Sequence, residues 1–359
     1  MKIKDFIDYE QPNKYIVESE RYSSEYDIPV LTAGQSFILG YTNESIGVYE
    51  KYPCIIFDDF TTSVHYVDFS FKVKSSAMKI LKNKENADLK YCYYLLLNMS
   101  KMPPNHKRQW ISTTSEKEHK LPSINDQRKI TNVLDKISNI INFYNLELKK
   151  LDELIKARFV EMFGDIHNSK LYPYANIDSI TTVLSGGTPD RKVKEYWDNG
   201  TIRWVKTTEL QNCVITDTEE RITQAGMDNS SAKIVPIGSI LIAMYGQGKT
   251  RGMTGYLAVE CTTNQACACI LPTKKINQIF LWKYLILSYD KLRNMAKGGN
   301  QPNLNIGIIK KFPILVPPIE LQEQFADFVR QVDKSKFEVQ KSLEKTQQLY
   351  DSLMQKYFG

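Results

Sequence analysis

Leu121-Pro122-Ser123-Ile124-Asn125-Asp126-Gln127 and Val316-Pro317-Pro318-Ile319-Glu320-Leu321-Gln322 are two versions of one motif within a chain of 359 residues. The shift that carries Pro122 onto Pro317 also carries Phe163-Gly164 onto Phe358-Gly359, so residues 122–164 and 317–359 are one element written twice without a gap. Inside it, apolar residues recur at alternating three- and four-residue spacing: Leu134, Ile137, Ile141, Tyr144, Leu148, Leu151 and Ile155 in one copy, Val329, Val332, Val339, Leu343, Tyr350 and Leu353 in the other. This is the period of a helix with a single apolar stripe. Lys336 and Thr346 interrupt the second stripe, which predicts a helix pair with polar breaks rather than a strict zipper. Ser123 and Asp126 have capping-box form, Pro318 suits a first turn, and Gly164 stands where a terminating glycine belongs. A helix of about 35 residues is roughly 50 Å long, too long for the interior of one small domain. Two such helices pack most economically antiparallel along their stripes, the alternative being that each covers only its own domain.

The repeat extends upstream, because Tyr94-Leu95-Leu96-Leu97 matches Tyr284-Leu285-Ile286-Leu287. Further back the halves stop resembling each other: LTAGQSFILGYTNE (31–44) and IIFDDFTTSVHYVDFSFKVK (55–74) stand against IRWVKTTELQN (202–212) and SILIAMYGQGKTRGMTGYLAVECTTNQACACILP (239–272). These are glycine-punctuated, β-rich stretches. The expected fold class is α+β: two mixed α/β domains joined by two long helices packed as an antiparallel coiled coil, with a pseudo-two-fold internal repeat. The boundaries are a first domain at 1–121, a first long helix at 122–166, a second domain at 167–316 and a second long helix at 317–359. A chain that duplicates its frame and diverges in its heads is built to present two different binding specificities.

Composition supports folded domains, with 42% hydrophobic and 25% charged residues. The net charge of +6 is modest, but it is unevenly placed: residues 1–71 carry 5 basic and 12 acidic groups, 72–121 carry 11 and 4, and 165–316 carry 18 and 12. The repeated segments are nearly neutral, so the positive excess sits in the heads. It suits a phosphate backbone or a merely solvated basic face. No apolar leader follows the charged start, and the most apolar run, Ile279–Tyr289, is too short to span a bilayer and contains Lys283. A cytoplasmic protein with no membrane partner is expected. The six cysteines (Cys54, Cys92, Cys213, Cys261, Cys267, Cys269) form no CxxC pair and read as reduced core residues, with no metal.

Ala243-Met-Tyr245-Gly246-Gln247-Gly248-Lys249-Thr250 nearly matches a phosphate-binding P-loop, but Arg251-Gly252-Met-Thr-Gly255-Tyr-Leu returns to strand chemistry where a helix is required. It reads instead as a polar loop offering Tyr245, Gln247, Lys249 and Arg251 to bases and phosphates, or as a plain hairpin with basic residues. Asp58-Asp59 followed by Thr61-Thr62 reads as a turn whose carboxylates cap amides or accept from a cytosine, with metal-dependent cleavage disfavoured for want of a partner lysine or glutamate. His106-Lys107-Arg108-Gln109-Trp110 is a basic-aromatic cluster, and Asn300-Gln301 lies at the matching place in the second half; both double as ordinary connecting loops. Thr61 and Thr62, Lys107 and Arg108 for phosphates, Trp110 for ring stacking, and Gln35, Arg203 and Lys206 complete the candidate DNA-binding set. The four histidines (His65, His106, His119, His167) accompany no nucleophile motif, and no catalytic residues are assigned.

LTAGQSFILGYTNE, IIFDDFTT, LPSINDQRKI, KKLDELIKARFVEMFGD, SGGTP, NQPNLN and ILVPPIELQEQ, in this order and covering essentially the whole chain, resemble the specificity subunits of type I restriction-modification enzymes. The resemblance implies a non-catalytic subunit with two target-recognition domains that reads a bipartite, asymmetric duplex DNA target. It further implies two adenine methyltransferase partners and, in the full complex, restriction/translocase subunits. No cofactor belongs to this chain; S-adenosylmethionine, and ATP with Mg, go with the partners. A stand-alone nuclease or NTPase and a coiled-coil adaptor are the readings set against it.

Overall fold

The computed structural model describes residues 1–32, 36–100, 107–166, 168–246, 248–296 and 303–359. They form two compact units: Met1–Leu146 with Gln340–Gly359, and Glu147–Val339. Each long helix, Ile124–Phe163 and Ile319–Phe358, contributes one part to each unit.

In the first unit the strands are β1 (Ile7–Glu10), β2 (Ile28–Leu31), β3 (Ile38–Thr42), β4 (Cys54–Asp58), β5 (Val64–Val67), β6 (Lys72–Val73) and β7 (Met78–Asn83). One sheet has the order β1-β7-β4-β5 and a second the order β3-β2-β6. Every residue of β4 is buried, for a reason its alternation makes plain. Ile55 and Phe57 point into a cluster with Tyr91, Leu95 and Leu134, whereas Cys54 and Ile56 face Leu31 and Val73 of the other sheet. The sheet thus has helices on one face and a sheet on the other.

The second unit contains β8 (Tyr174–Asn176), β9 (Val183–Ser185), β10 (Ile202–Val205), β11 (Cys213–Ile215), β12 (Glu220–Ile222), β13 (Ile240–Ala243), β14 (Thr254–Leu257), β15 (Thr262–Thr263), β16 (Cys267–Ile270) and β17 (Pro313–Leu315). Its main sheet has the order β11-β14-β13-β16-β9, beside the sheets β12-β10-β15 and β17-β8. β13 repeats the logic of β4: Ile240 and Ile242 enter a cluster with Phe280 and Tyr284, and Leu241 and Ala243 enter one with Val205. The likeness extends to connectivity. β4 pairs antiparallel with β5 and β7 as β13 does with β14 and β16, and β2 and β10 each pair antiparallel on one side and parallel on the other. Two heads with dissimilar sequences therefore share one core topology, to which the second adds β11 at the edge of its main sheet and the β17-β8 pair.

The long helices run antiparallel within each unit. In the first, Ile130 and Leu134 near the start of one join Tyr350, Met354 and Phe358 at the end of the other around the short helix Leu89–Met99. In the second, Ile155, Phe159 and Phe163 join Phe325, Val329 and Val332 around the short helix Gln278–Leu287. Lys336, which breaks the apolar stripe, pairs across the helices with Asp152. Gly164 closes the first long helix at φ +78.

The duplicated motif owes its glutamine to a specific task. Gln127, 0% exposed, accepts from the Asp88 amide at the start of one short helix (2.8 Å) and donates to the Pro122 and Asn86 carbonyls (2.9 and 3.0 Å). Gln322, 1% exposed, accepts from the Asn277 amide at the start of the other (2.9 Å) and donates to the Pro317 carbonyl (2.7 Å). One buried amide thus pins the start of each long helix to the start of the short helix beneath it. Gln322→Leu leaves an amide and a carbonyl buried without partners, and is expected to cost the second unit about 1–3 kcal/mol. Urea unfolding checks it, and an unchanged midpoint would show that the amide holds nothing.

Candidate nucleic-acid interface

In the first unit the candidate residues gather where β4 ends. Asp58, 3% exposed, accepts from the Phe60 amide (2.8 Å) and the Thr61 hydroxyl (2.5 Å), and the Thr62 amide donates back to the Asp58 carbonyl (3.0 Å). Thr62 is buried at φ +62, and its carbonyl accepts from the Ser100 hydroxyl (2.7 Å). The carboxylate caps the turn. Thr61 and Thr62 shape it; Thr62 is buried, which corrects its assignment as a group offered to DNA, while Thr61 is half-buried.

Asp59, 1% exposed, accepts through Oδ1 from the Trp110 and Gln109 amides (2.8 and 3.1 Å) and pairs through Oδ2 with buried Lys79 (3.0 Å). It thereby ties the turn to the segment leading into the first long helix. On that segment Lys107 and Arg108 are exposed, the Arg108 Nε standing 4.0 Å from Asp59. Trp110 is not available to a base: it is 1% exposed and lies edge-on to Phe57 at 5.1 Å. Its expected stacking role is withdrawn, because the ring completes the core under the basic pair.

The topologically equivalent place in the second unit is the loop between β13 and β14. These strands form an antiparallel hairpin, so the P-loop likeness fails on context. Gly246, Gly248 and Gly252 have φ of +141, +60 and +88, and the loop presents Tyr245 and Lys249 to solvent, with Arg251 half-buried. Leu304, on the segment leading to the second long helix, donates to the Met244 carbonyl (3.1 Å), as Gln109 does to Asp59 (2.8 Å) in the first unit. Each head brings the turn after its central strand against the chain entering a long helix.

Arg203 and Lys206 stand elsewhere on the second head, already engaged by carboxylates. Arg203 Nε meets Asp217 at 2.9 Å, and Lys206 Nζ meets Glu219 at 2.8 Å and Glu220 at 3.0 Å, bonds that raise the Lys206 pKa. Exposed pairs of this kind are worth at most about 1 kcal/mol, so a phosphate competes with them readily. Beside them the Arg191 guanidinium lies 3.7 Å over Trp197 and 4.7 Å from Trp204, and the arginine also pairs with Glu220. Gly186 and Gly187 precede it; a Cβ on Gly186 would stand 2.1 Å from Thr263 and one on Gly187 2.3 Å from the Ala232 nitrogen. Sequence reasoning missed Arg191. Gln35, Gln247, Asn300 and Gln301, also candidates, lie outside the described residues.

His65 stacks on Phe37 at 3.9 Å, and His119 shares a 2.8 Å hydrogen bond with the Tyr91 hydroxyl; burial lowers both pKa values. His106 and His167 lie outside the described residues. Among the described residues no helix is long and apolar enough to cross a membrane, and no group of three or more His, Cys, Asp or Glu is placed to hold a metal ion. Burial pushes the thiols of Cys54, Cys92 and Cys261 up to about 12, away from reactivity.

Residues 172–349 match the family model described as the type I restriction modification DNA specificity domain. Over 345 residues the chain is 32% identical to the type I restriction enzyme EcoR124I/EcoR124II specificity subunit of Escherichia coli, covering 90% of this chain and 84% of that protein. Among solved structures, the S subunit of a type I restriction-modification system from M. genitalium matches with a TM-score of 0.66 at 16% identity, over 100% of this chain and 95% of that one. A chain from a study of complex assembly and conformational transition of the type I R-M system matches with a TM-score of 0.54 at 14% identity, over 98% and 97% of the two chains.

Proposed function

The chain belongs to the specificity subunits of type I restriction-modification enzymes, and from that premise we propose that it reads a bipartite, asymmetric DNA target and scaffolds the adenine methyltransferase subunits that modify it in the cytoplasm. The observation that carries the reading is one topology used twice under two unrelated sets of surface residues: Lys107 and Arg108 in one head, Tyr245, Lys249 and Arg251 in the other. Cations near the turns meet phosphates and fix register, while amide, hydroxyl and guanidinium groups meet base edges in the major groove. The long helices offer the partner surface. Within the first unit Ile140, Phe143 and Leu146 are 44%, 62% and 49% exposed on a single helix, an apolar face suited to a protein partner. Two methyltransferase subunits, with S-adenosylmethionine, and in the full complex ATP-dependent restriction/translocase subunits supply the chemistry. This chain is non-catalytic.

Co-expression with its methyltransferase, followed by mapping of methylated adenines, tests this. The expected result is one two-part target with a fixed spacer and an adenine modified in each part. The chain purified away from its partners is expected neither to methylate, cleave DNA nor hydrolyse ATP. Methylation without a two-part motif, or activity that survives removal of the partners, would overturn the reading.

A further inference from the structure

Arg293, on the short helix Tyr289–Asn294, directs its guanidinium at the backbone of the β13–β14 loop. Nη2 donates to the Gly248 carbonyl (2.9 Å), while Nη1 donates to the carbonyls of Arg251 (2.6 Å) and Lys249 (3.4 Å) and to the Tyr289 hydroxyl (2.8 Å). That hydroxyl donates in turn to the Lys249 carbonyl (2.7 Å), and the Tyr289 ring lies 5.1 Å from the guanidinium carbon. Gly252, at φ +88, brings the chain so near that a Cβ there would stand 3.1 Å from Arg293 Cγ. Three carbonyls of a loop rich in glycine, the residue type with most backbone freedom, are gathered by a single planar cation.

We propose that Arg293 is a specificity-determining positioning residue, which holds the loop in one shape so that Tyr245 and Lys249 are presented to bases already ordered. The proposal rests on the DNA-recognition reading above. A loop that must order on binding weakens the specific complex, in which side chains have to meet base edges, more than the non-specific one, which phosphate attraction dominates. Because Arg293 bonds to backbone rather than to phosphate, its loss should leave the salt dependence of binding alone. The first head fixes its corresponding turn by another device, the buried carboxylates of Asp58 and Asp59, so the clamp is particular to the second head.

The test uses the complex with methyltransferase subunits. Binding is measured to a duplex carrying the mapped target, to duplexes altered in either half, and to random duplex. Arg293→Lys retains the charge, but a compact ammonium does not span three carbonyls; the target-to-random ratio should fall by about tenfold or more, the scale of one good base contact. Base changes in the half read by the second head should lose most of their cost, whereas changes in the other half cost as before. Random-duplex affinity and salt slope should stay within about twofold of wild type. Tyr289→Phe, which keeps the ring and removes the hydroxyl, should lower the ratio by about fivefold, the scale of one net hydrogen bond. An unchanged ratio in Arg293→Lys overturns the clamp. So does a parallel loss of random binding with a shallower salt slope, which makes Arg293 a phosphate contact, or a loss spread over both halves, which makes it a folding residue. A wild-type complex without sequence preference overturns the recognition reading itself.

Discussion

Asp59→Ala should destabilise the first unit by about 3–5 kcal/mol, because it removes one member of a buried ion pair and strands the other. Lys79 is 0% exposed; besides Asp59 it has the Gln11 side-chain oxygen at 3.1 Å. The same substitution frees the amide of Trp110 at the edge of the core, whereas the Gln109 amide keeps its 2.8 Å bond to the backbone carbonyl of residue 59. Asp59→Asn separates the two contributions: its oxygen still accepts from the amides, but the charge facing Lys79 is gone. Asp59→Leu combined with Lys79→Met removes the buried charge altogether and leaves only the amide loss, about 1–3 kcal/mol. The expected order of unfolding midpoints in urea is wild type, then the double variant, then Asp59→Ala. An Asp59→Ala protein within about 1 kcal/mol of wild type would mean that Lys79 finds water once its partner leaves, and the pair would carry little of the fold.

The helical frame was legible because three-and-four spacing sustained over more than twenty residues fits no strand, and because an exact internal shift identified both copies at once. The glutamine in each copy was visible as a repeated letter but not as a buried clasp, since its partners Asp88 and Asn277 lie upstream in stretches without a shared motif. The common topology of the heads was hidden. β4 and β13 correspond in being buried on both faces, and that requirement is met equally by Cys-Ile-Ile-Phe-Asp and Ile-Leu-Ile-Ala. Trp110 was misread because its basic neighbours are adjacent in sequence, while Phe57 and Tyr9, which enclose it, are not. The β13–β14 loop was found from its glycines and cations. Its clamp was not, because an arginine on a helix beyond three further strands and another helix gives no sign in sequence of bonding to carbonyls.

Exchange of residues 165–316 for the equivalent domain of another specificity subunit should replace one half of the target and leave the other half unchanged. The junctions follow from the packing. Gly164, at φ +78, ends the first long helix, and Pro317 accepts from Gln322 at the start of the second, so cuts beside them keep both helices and both glutamines. An incoming domain must supply a short helix that packs on Ile155, Phe159, Phe163, Phe325 and Val329, the faces the long helices contribute to the second core. It must also offer an amide to Gln322. If it does, the first unit, with its own core of Phe57, Tyr91, Trp110 and Phe358, has no reason to change its reading. Affinity for the original target should drop towards the non-specific level, a loss of about 10³-fold or more. Adenine methylation should appear at sites that share the first head's half and differ in the other. Sites altered in both halves would show that the two heads do not read independently and that a shared topology under two surfaces does not make two separate readers.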